Sequence, residues 1–88
     1  MTQPGTDKDL ETSVLEIVRQ VAPRRIKGEL TPDEIIGDAG LGFDSIARVE
    51  LLAEIDINLG ITVPVQIFTD PNLTVGGLIA QVRAHAAA

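Results

Sequence analysis

The sequence LGFDSI at residues 41–46 decides how the rest of the chain is interpreted. Two of its apolar residues precede an Asp-Ser pair, and aspartate and serine are among the residues preferred at the N-cap of a helix. Apolar side chains then recur at helical spacing until Gly60, a residue typical of helix C-termini. The stretch therefore predicts a helix from about Ser45 to Leu59, with Asp44 as its N-cap.

Two further helices are predicted, one on either side of this helix. A stripe of apolar residues at helical spacing predicts the first, from Asp7 to about Ala22, where Pro23 should stop it. Thr74 is predicted to cap the last helix. The residues of that helix expected to face the core are Val75, Leu78, Ile79 and Val82.

The connections between the helices carry turn signals. Residues 31–34, Thr-Pro-Asp-Glu, have the form of a capping box and predict a short helical turn. Residues 61–64 should form an extended linker, and residues 65–69 one more helical turn. The predicted fold is all-α: a small bundle of three main helices with one or two short ones, and a long loop between the first two.

Length, composition and charge limit the classes of function. The 88 residues suffice for one domain, predicted at 7–84, between a disordered leader at 1–6 and a frayed tail at 85–88. The net charge of −6 argues against a nucleic-acid partner, because phosphate binding needs clustered Lys and Arg, and fits docking to basic protein surfaces. The N-terminus is polar and has no apolar run, so we expect no signal peptide, and no stretch has the length of a membrane span. We expect a cytoplasmic, monomeric protein.

The predicted second helix has two apolar faces on a helical wheel. One arc of about 100° is an ordinary core stripe, made of Leu51, Leu52, Ile55 and Leu59. A second arc, about 80° wide and nearly opposite, holds Ile46, Val49, Ala53 and Ile57. Glu50 and Glu54 flank it on one side and Asp56 on the other. Either the chain wraps around the helix and buries both arcs, or the second arc is a surface on which a partner docks.

Ser45 has a structural explanation and a functional one. With Asp44 it could simply be one of two residues that cap the helix. Alternatively, its hydroxyl carries a phosphodiester, since the free N–H groups and the dipole of a helix N-terminus favour a phosphate.

The segment 41–46 resembles the modification signature of acyl and peptidyl carrier proteins, usually written with leucine after the serine. The resemblance continues through VELL at 49–52, LGITVP at 59–64 and LTVG at 73–76, in order and at the right spacing. It spans roughly residues 8 to 84 and implies an acyl-carrier-like bundle. The residues themselves predict the long connection at 23–44 between helices one and two.

The resemblance implies that a phosphopantetheinyl transferase attaches 4′-phosphopantetheine covalently to Ser45, using coenzyme A and Mg²⁺. It implies that Asp44 helps to place the magnesium ion during loading, and that the arm's thiol carries acyl groups as thioesters between partner enzymes. The protein itself would be no enzyme and would hold no metal of its own. The implied docking residues on the second helix are Ile46, Val49, Glu50, Ala53 and Ile57.

Three positions depart from the family pattern. Ile46 replaces the commoner leucine, Ala47 stands where fatty-acid carriers usually have an acid, and Arg48 adds a positive charge. We therefore expect a docking surface more apolar and less acidic than that of fatty-acid carriers. This favours a discrete carrier in polyketide or nonribosomal-peptide biosynthesis, such as that of an antibiotic, served by ketosynthase, acyltransferase or adenylating enzymes. A carrier for fatty-acid synthesis is the alternative.

Other classes of protein are disfavoured. An unmodified helical interaction module would not need the intact Asp44 and Ser45. An enzyme would need titratable groups that converge on a pocket, yet the only histidine, His85, is expected to lie exposed in the frayed tail. Ala47 also stands where a nucleophile elbow needs glycine. Residues 7–18 imitate the start of a calcium-binding EF-hand loop but lack its central glycine and final glutamate.

Overall fold

The computed structural model describes residues 7–22, 26 and 28–86. It contains three α-helices and one 3-10 helix: α1 is Asp7–Val21, α2 is Ser45–Leu59, the 3-10 helix is Val65–Thr69 and α3 is Val75–Ala86. The predicted all-α bundle is thereby confirmed. None of these helices has the length and apolarity needed to cross a membrane. The predicted leader at 1–6 and the last two residues of the predicted tail lie outside the described residues, and the division into leader, domain and tail stays a prediction.

The core lies between the three α-helices and the loop that joins α1 to α2. α1 packs against both α2 and α3. The largest fully buried side chains include Phe43, Ile36, Leu51, Ile55 and Leu78. All four residues predicted to face inward from α3 are buried. The segment 61–64 runs as extended chain with Val63 buried, as predicted for a linker held against the core.

Both ends of α2 lie where capping chemistry predicts them. Asp44 is the N-cap, with extended backbone, and its Oδ1 accepts a hydrogen bond from the N–H of Ala47 at 2.8 Å. Gly60 ends the helix in the left-handed conformation, with φ at +68°, and its N–H donates to the carbonyl of Asp56 at 2.8 Å. Only glycine adopts that conformation at little cost, so the stop is local.

The segment 31–34 forms a single hydrogen-bonded turn and no helix, so the prediction of a helical turn there is wrong. The turn's backbone is used by α3 instead. The carbonyl of Pro32 accepts the N–H of Gly76 at 2.9 Å. The carbonyl of Glu34 accepts the N–H of Val75 at 2.8 Å. Because the first N–H groups of a helix have no partner within it, the turn caps α3 from outside.

The two ends of α3 differ in how well the sequence predicted them. Thr74 is the predicted cap, since its Oγ1 accepts the N–H of Gly77 at 3.0 Å. At the other end the helix reaches Ala86 and includes two residues for which fraying was predicted. His85 is half-buried and not exposed, with Nδ1 2.8 Å from the carbonyl oxygen of Gln81. Alanine favours helix, and basic side chains in the last turn complement the helix dipole.

The segment that leads into α2 is anchored to the core. The N–H of Leu41 donates to the carbonyl of Ile35 at 2.7 Å, and that of Phe43 donates to the carbonyl of Ile36 at 2.9 Å. A Cβ on Gly40 would overlap the carbonyl of Ile35, so only glycine fits there. The Phe43 side chain is fully buried just before the N-cap. The start of α2 is therefore fixed relative to the core from the loop side as well as from the helix side.

Candidate functional site

Ser45 is the first residue of α2, and its side chain is exposed. The cap of the helix is Asp44, which accepts the N–H of Ala47. Capping by Ser45 is therefore not what holds this helix end. The hydroxyl lies at the surface, where a second protein can reach it.

The start of α2 fits a phosphodiester on Ser45. The first N–H groups of an α-helix have no intrahelical partner, and the helix dipole adds partial positive charge at this end. Asp44 takes the N–H of Ala47, so the helix leaves the N–H groups of Ser45 and Ile46 for other acceptors. Asp44 is exposed, and a carboxylate whose one oxygen caps a helix still has a second oxygen that can bind a cation. Residues 44–46 thus supply a carboxylate, a hydroxyl and two backbone N–H donors close together.

The second apolar arc of α2 lies on the protein surface. Its three large side chains are 72%, 57% and 76% exposed: Ile46, Val49 and Ile57. Ala53 and the flanking Glu50 are exposed as well. The opposite arc supplies the core, where Leu51 and Ile55 are fully buried. Burial of both arcs is therefore excluded, and we call the exposed one, Ile46, Val49, Ala53 and Ile57, the apolar strip.

Arg48 does not lie on the apolar strip, which corrects the expectation that its charge changes the docking surface. Its side chain is half-buried, and the guanidinium carbon lies 5.8 Å from the centroid of the Phe68 ring. On the helical wheel Arg48 falls within the core arc, next to Ile55. Ala47 is packed against the core too. Neither residue sets the character of the strip, which is apolar because of its own four side chains.

Two open grooves run between α1 and α2. One of about 230 Å³ is lined by Gln20, Val21, Glu50 and Glu54. The other, of about 190 Å³, is lined by Ser13, Glu16, Ile17, Gln20, Asn58 and Leu59. Neither includes Ser45 or Asp44, so these grooves bring no titratable group to the serine.

Fold and site together define a class: a small helical domain that displays a serine at the start of its second helix. The family described as phosphopantetheine attachment site matches residues 12–82 of the chain. The chain belongs to this family, whose domain is the attachment site of covalently bound 4′-phosphopantetheine. This confirms the resemblance to acyl and peptidyl carrier proteins. Neither the curated proteins nor the solved structures gave a match.

Membership of this family also indicates how such domains act in general. Domains of this kind are in general non-catalytic carriers that interact with synthase and transferase enzymes. The exposed position of Ser45 agrees with that mode, because a residue modified by another enzyme must be reachable from outside.

Sequence reasoning missed the surroundings of Arg48. Its place in the core arc of the wheel was a usable signal, because a long side chain there has to pack against neighbouring segments. That the neighbour is Phe68 could not be read from the sequence, since it depends on where the 3-10 helix lies. That Gly37 lies near the Arg48 guanidinium was likewise hidden, since Gly37 belongs to a different segment.

Proposed function

We propose that the chain is an acyl carrier protein that bears 4′-phosphopantetheine on Ser45 and carries acyl groups on it as thioesters. The observation that carries this proposal is the exposed Ser45 at the first position of α2, in a chain that belongs to the phosphopantetheine attachment site family. Because Asp44 already caps the helix, the serine is available for another role. Since loading uses coenzyme A, we expect the protein to act in the cytoplasm.

The chain's own residues have simple tasks in loading. In the transfer, the Ser45 oxygen forms a bond to the phosphorus of the phosphopantetheine group, and the bond from that phosphorus to the adenosine bisphosphate of coenzyme A breaks. The hydroxyl proton leaves to a base on the transferase or to solvent. Asp44, exposed beside Ser45, would help to hold a magnesium ion, which would offset the negative charge of the phosphates. The N-terminus of α2 favours the phosphodiester that results.

We infer that partner enzymes dock on the apolar strip together with Glu50. The strip begins at Ile46, directly after the modified serine, and offers three exposed aliphatic side chains on one arc of α2. Single exposed aliphatic residues are ordinary, but a contiguous set bordered by carboxylates has the composition of a docking surface. Apolar contact supplies affinity there, while the acidic border selects partners with basic surfaces.

We propose polyketide or nonribosomal-peptide biosynthesis as the pathway, with fatty-acid synthesis as the alternative. The support is the apolar character of the strip together with Ala47, which stands where fatty-acid carriers usually have an acid. Arg48 packs on the other side of the helix and adds no support. Offering the loaded protein to ketosynthase–acyltransferase pairs and to adenylating enzymes would decide which of them transfers an acyl group to it. Efficient acylation by fatty-acid synthesis enzymes alone would overturn the assignment.

Attachment at Ser45 is tested by intact mass after incubation with coenzyme A, Mg²⁺ and a broad-specificity transferase. The chain contains one other serine, Ser13 on α1, which provides a matched control. We expect one phosphopantetheinyl group on the wild type and on Ser13→Ala, and none on Ser45→Ala. A folded wild type that gains no mass beside an active control carrier would favour the other class, an unmodified interaction module.

A further inference from the structure

Arg48 lies on α2 one turn after Ser45 and is close to two segments that are far apart in sequence. Its guanidinium lies near the ring of Phe68 in the 3-10 helix, with the ring centroid 5.8 Å from the guanidinium carbon. This distance is within the range in which a guanidinium and an aromatic face attract each other. Arg48 therefore ties the first turns of α2 to the 3-10 helix.

The Arg48 guanidinium also lies near Gly37, a buried residue of the loop that leads to Ser45. A Cβ on Gly37 would lie 3.2 Å from Arg48 Nη2 and 3.4 Å from the carbonyl oxygen of Pro71. The carbonyl of Gly37 in turn accepts two hydrogen bonds, from the N–H of Gly40 at 3.0 Å and from that of Gly42 at 2.8 Å. The guanidinium is thus close to the residue whose carbonyl accepts the hydrogen bonds that close this loop.

Packing alone does not account for an arginine at this position. Its Nε is buried and has no hydrogen-bond partner among the residues that the structure describes. Burying an unpaired donor is unfavourable, and an apolar side chain of similar length would fill the space without that cost. An arginine at this position is explained if the positive charge and the flat shape of its guanidinium are needed to pack against Phe68 and Gly37 at the same time.

We propose that Arg48 is a positioning residue for the loading of Ser45, an inference that rests on the function proposed above. It clamps the loop at residues 37–42 and the 3-10 helix against the first turns of α2, and so fixes the junction that presents the Ser45 hydroxyl. Arg48 does not touch the reacting atoms; it acts through the backbone that carries them.

The proposed role of Arg48 predicts a different kinetic effect from the one expected for a docking residue. Arg48 lies on the core side of α2, away from the apolar strip, so its loss should leave binding of the transferase intact. Displacing a reacting group by about an ångström costs up to about a hundredfold in rate. We therefore expect Arg48→Met, which keeps the aliphatic stem, to lower kcat for loading about tenfold with KM within about twofold.

The experiment measures kcat and KM of loading, together with amide hydrogen exchange of Gly40 and Gly42 in the absence of transferase. Arg48→Lys keeps a cation near Phe68 and should restore part of kcat. Arg19→Met is the matched control, because Arg19 Nη2 donates to the carbonyl of Gly28 at 2.9 Å, near the other end of the same connection. We expect faster exchange at Gly40 and Gly42 in Arg48→Met and wild-type kinetics in Arg19→Met.

Three results would overturn the inference. The first is wild-type kcat in Arg48→Met, and the second is the same loss of kcat in Arg19→Met. The third is a loss of kcat that follows thermal stability, with unchanged exchange at the two glycines. Each of these leaves the carrier function standing, since it presupposes a loaded wild type. A wild type that is never loaded at Ser45 refutes both proposals.

Discussion

Replacing Val49 by alanine tests the docking surface with little effect on the fold. The side chain is 57% exposed, so a partner that covers the apolar strip would bury that fraction of the two carbons removed. At about 0.8 kcal/mol per buried carbon, the loss on docking is about 0.9 kcal/mol, or about fivefold in KM. Losing the fraction of these two carbons that is already buried in the folded protein lowers the free energy of unfolding by about 0.7 kcal/mol. The higher helix propensity of alanine returns about 0.5 kcal/mol, so Tm should change by about 1 °C.

The assay is loading by a broad-specificity transferase at varied carrier concentration, with Val65→Ala as the matched control. Val65 is 51% exposed and lies on the 3-10 helix outside the strip, so the same chemical change is made on another part of the surface. We expect KM to rise for Val49→Ala only, with kcat unchanged for both variants. An unchanged KM for Val49→Ala, or an equal rise for Val65→Ala, would refute the assignment of the strip.

The remaining predictions concern the residues just before Ser45. Asp44→Asn should keep the cap and the wild-type Tm, because asparagine caps a helix as well as aspartate does. The variant should nevertheless be loaded more slowly when Mg²⁺ is limiting. Equal loading rates of variant and wild type across a magnesium titration would contradict the proposed role of Asp44. Asp44→Ala should slow loading too and also cost about 0.5 to 2 kcal/mol of stability in thermal denaturation. Phe43→Ala should cost about 3 to 5 kcal/mol in denaturant unfolding followed by circular dichroism, since the ring is fully buried, and a change below about 1 kcal/mol would show that the loop is not anchored there.

The parts of the fold that could be predicted from sequence are those that local chemistry determines. Both ends of α2 follow from one residue each, because Asp44 accepts an N–H three residues on and Gly60 adopts a left-handed conformation by itself. Thr74 caps α3 in the same local way. The apolar periodicity of α1 and α3 identified the faces that meet in the core.

Two of the errors, the turn at 31–34 and the place of Arg48, lie where a segment takes its structure from distant partners. The turn at 31–34 has the composition of a helix start, but its carbonyls are engaged by the N-terminus of α3, which a local pattern cannot reveal. From the sequence, Arg48 was expected to make the docking surface less acidic. Its real neighbours, Phe68 and Gly37, come from two other segments of the fold.

The helical wheel of α2 shows where sequence reasoning had to stop and why the structure resolves it. The wheel separated two apolar arcs but could not tell burial from docking, since a chain that wraps a helix on all sides would give the same pattern. In the structure α2 is packed by α1 and the 3-10 helix, which cover one arc and leave the apolar strip open. The two proposals give this one helix two tasks: we propose that its inner face positions Ser45 through Arg48 and that its outer face binds the partner through Val49. A change of kcat at Arg48 and of KM at Val49 would separate these jobs, whereas joint changes at either residue would show that the two faces are not independent.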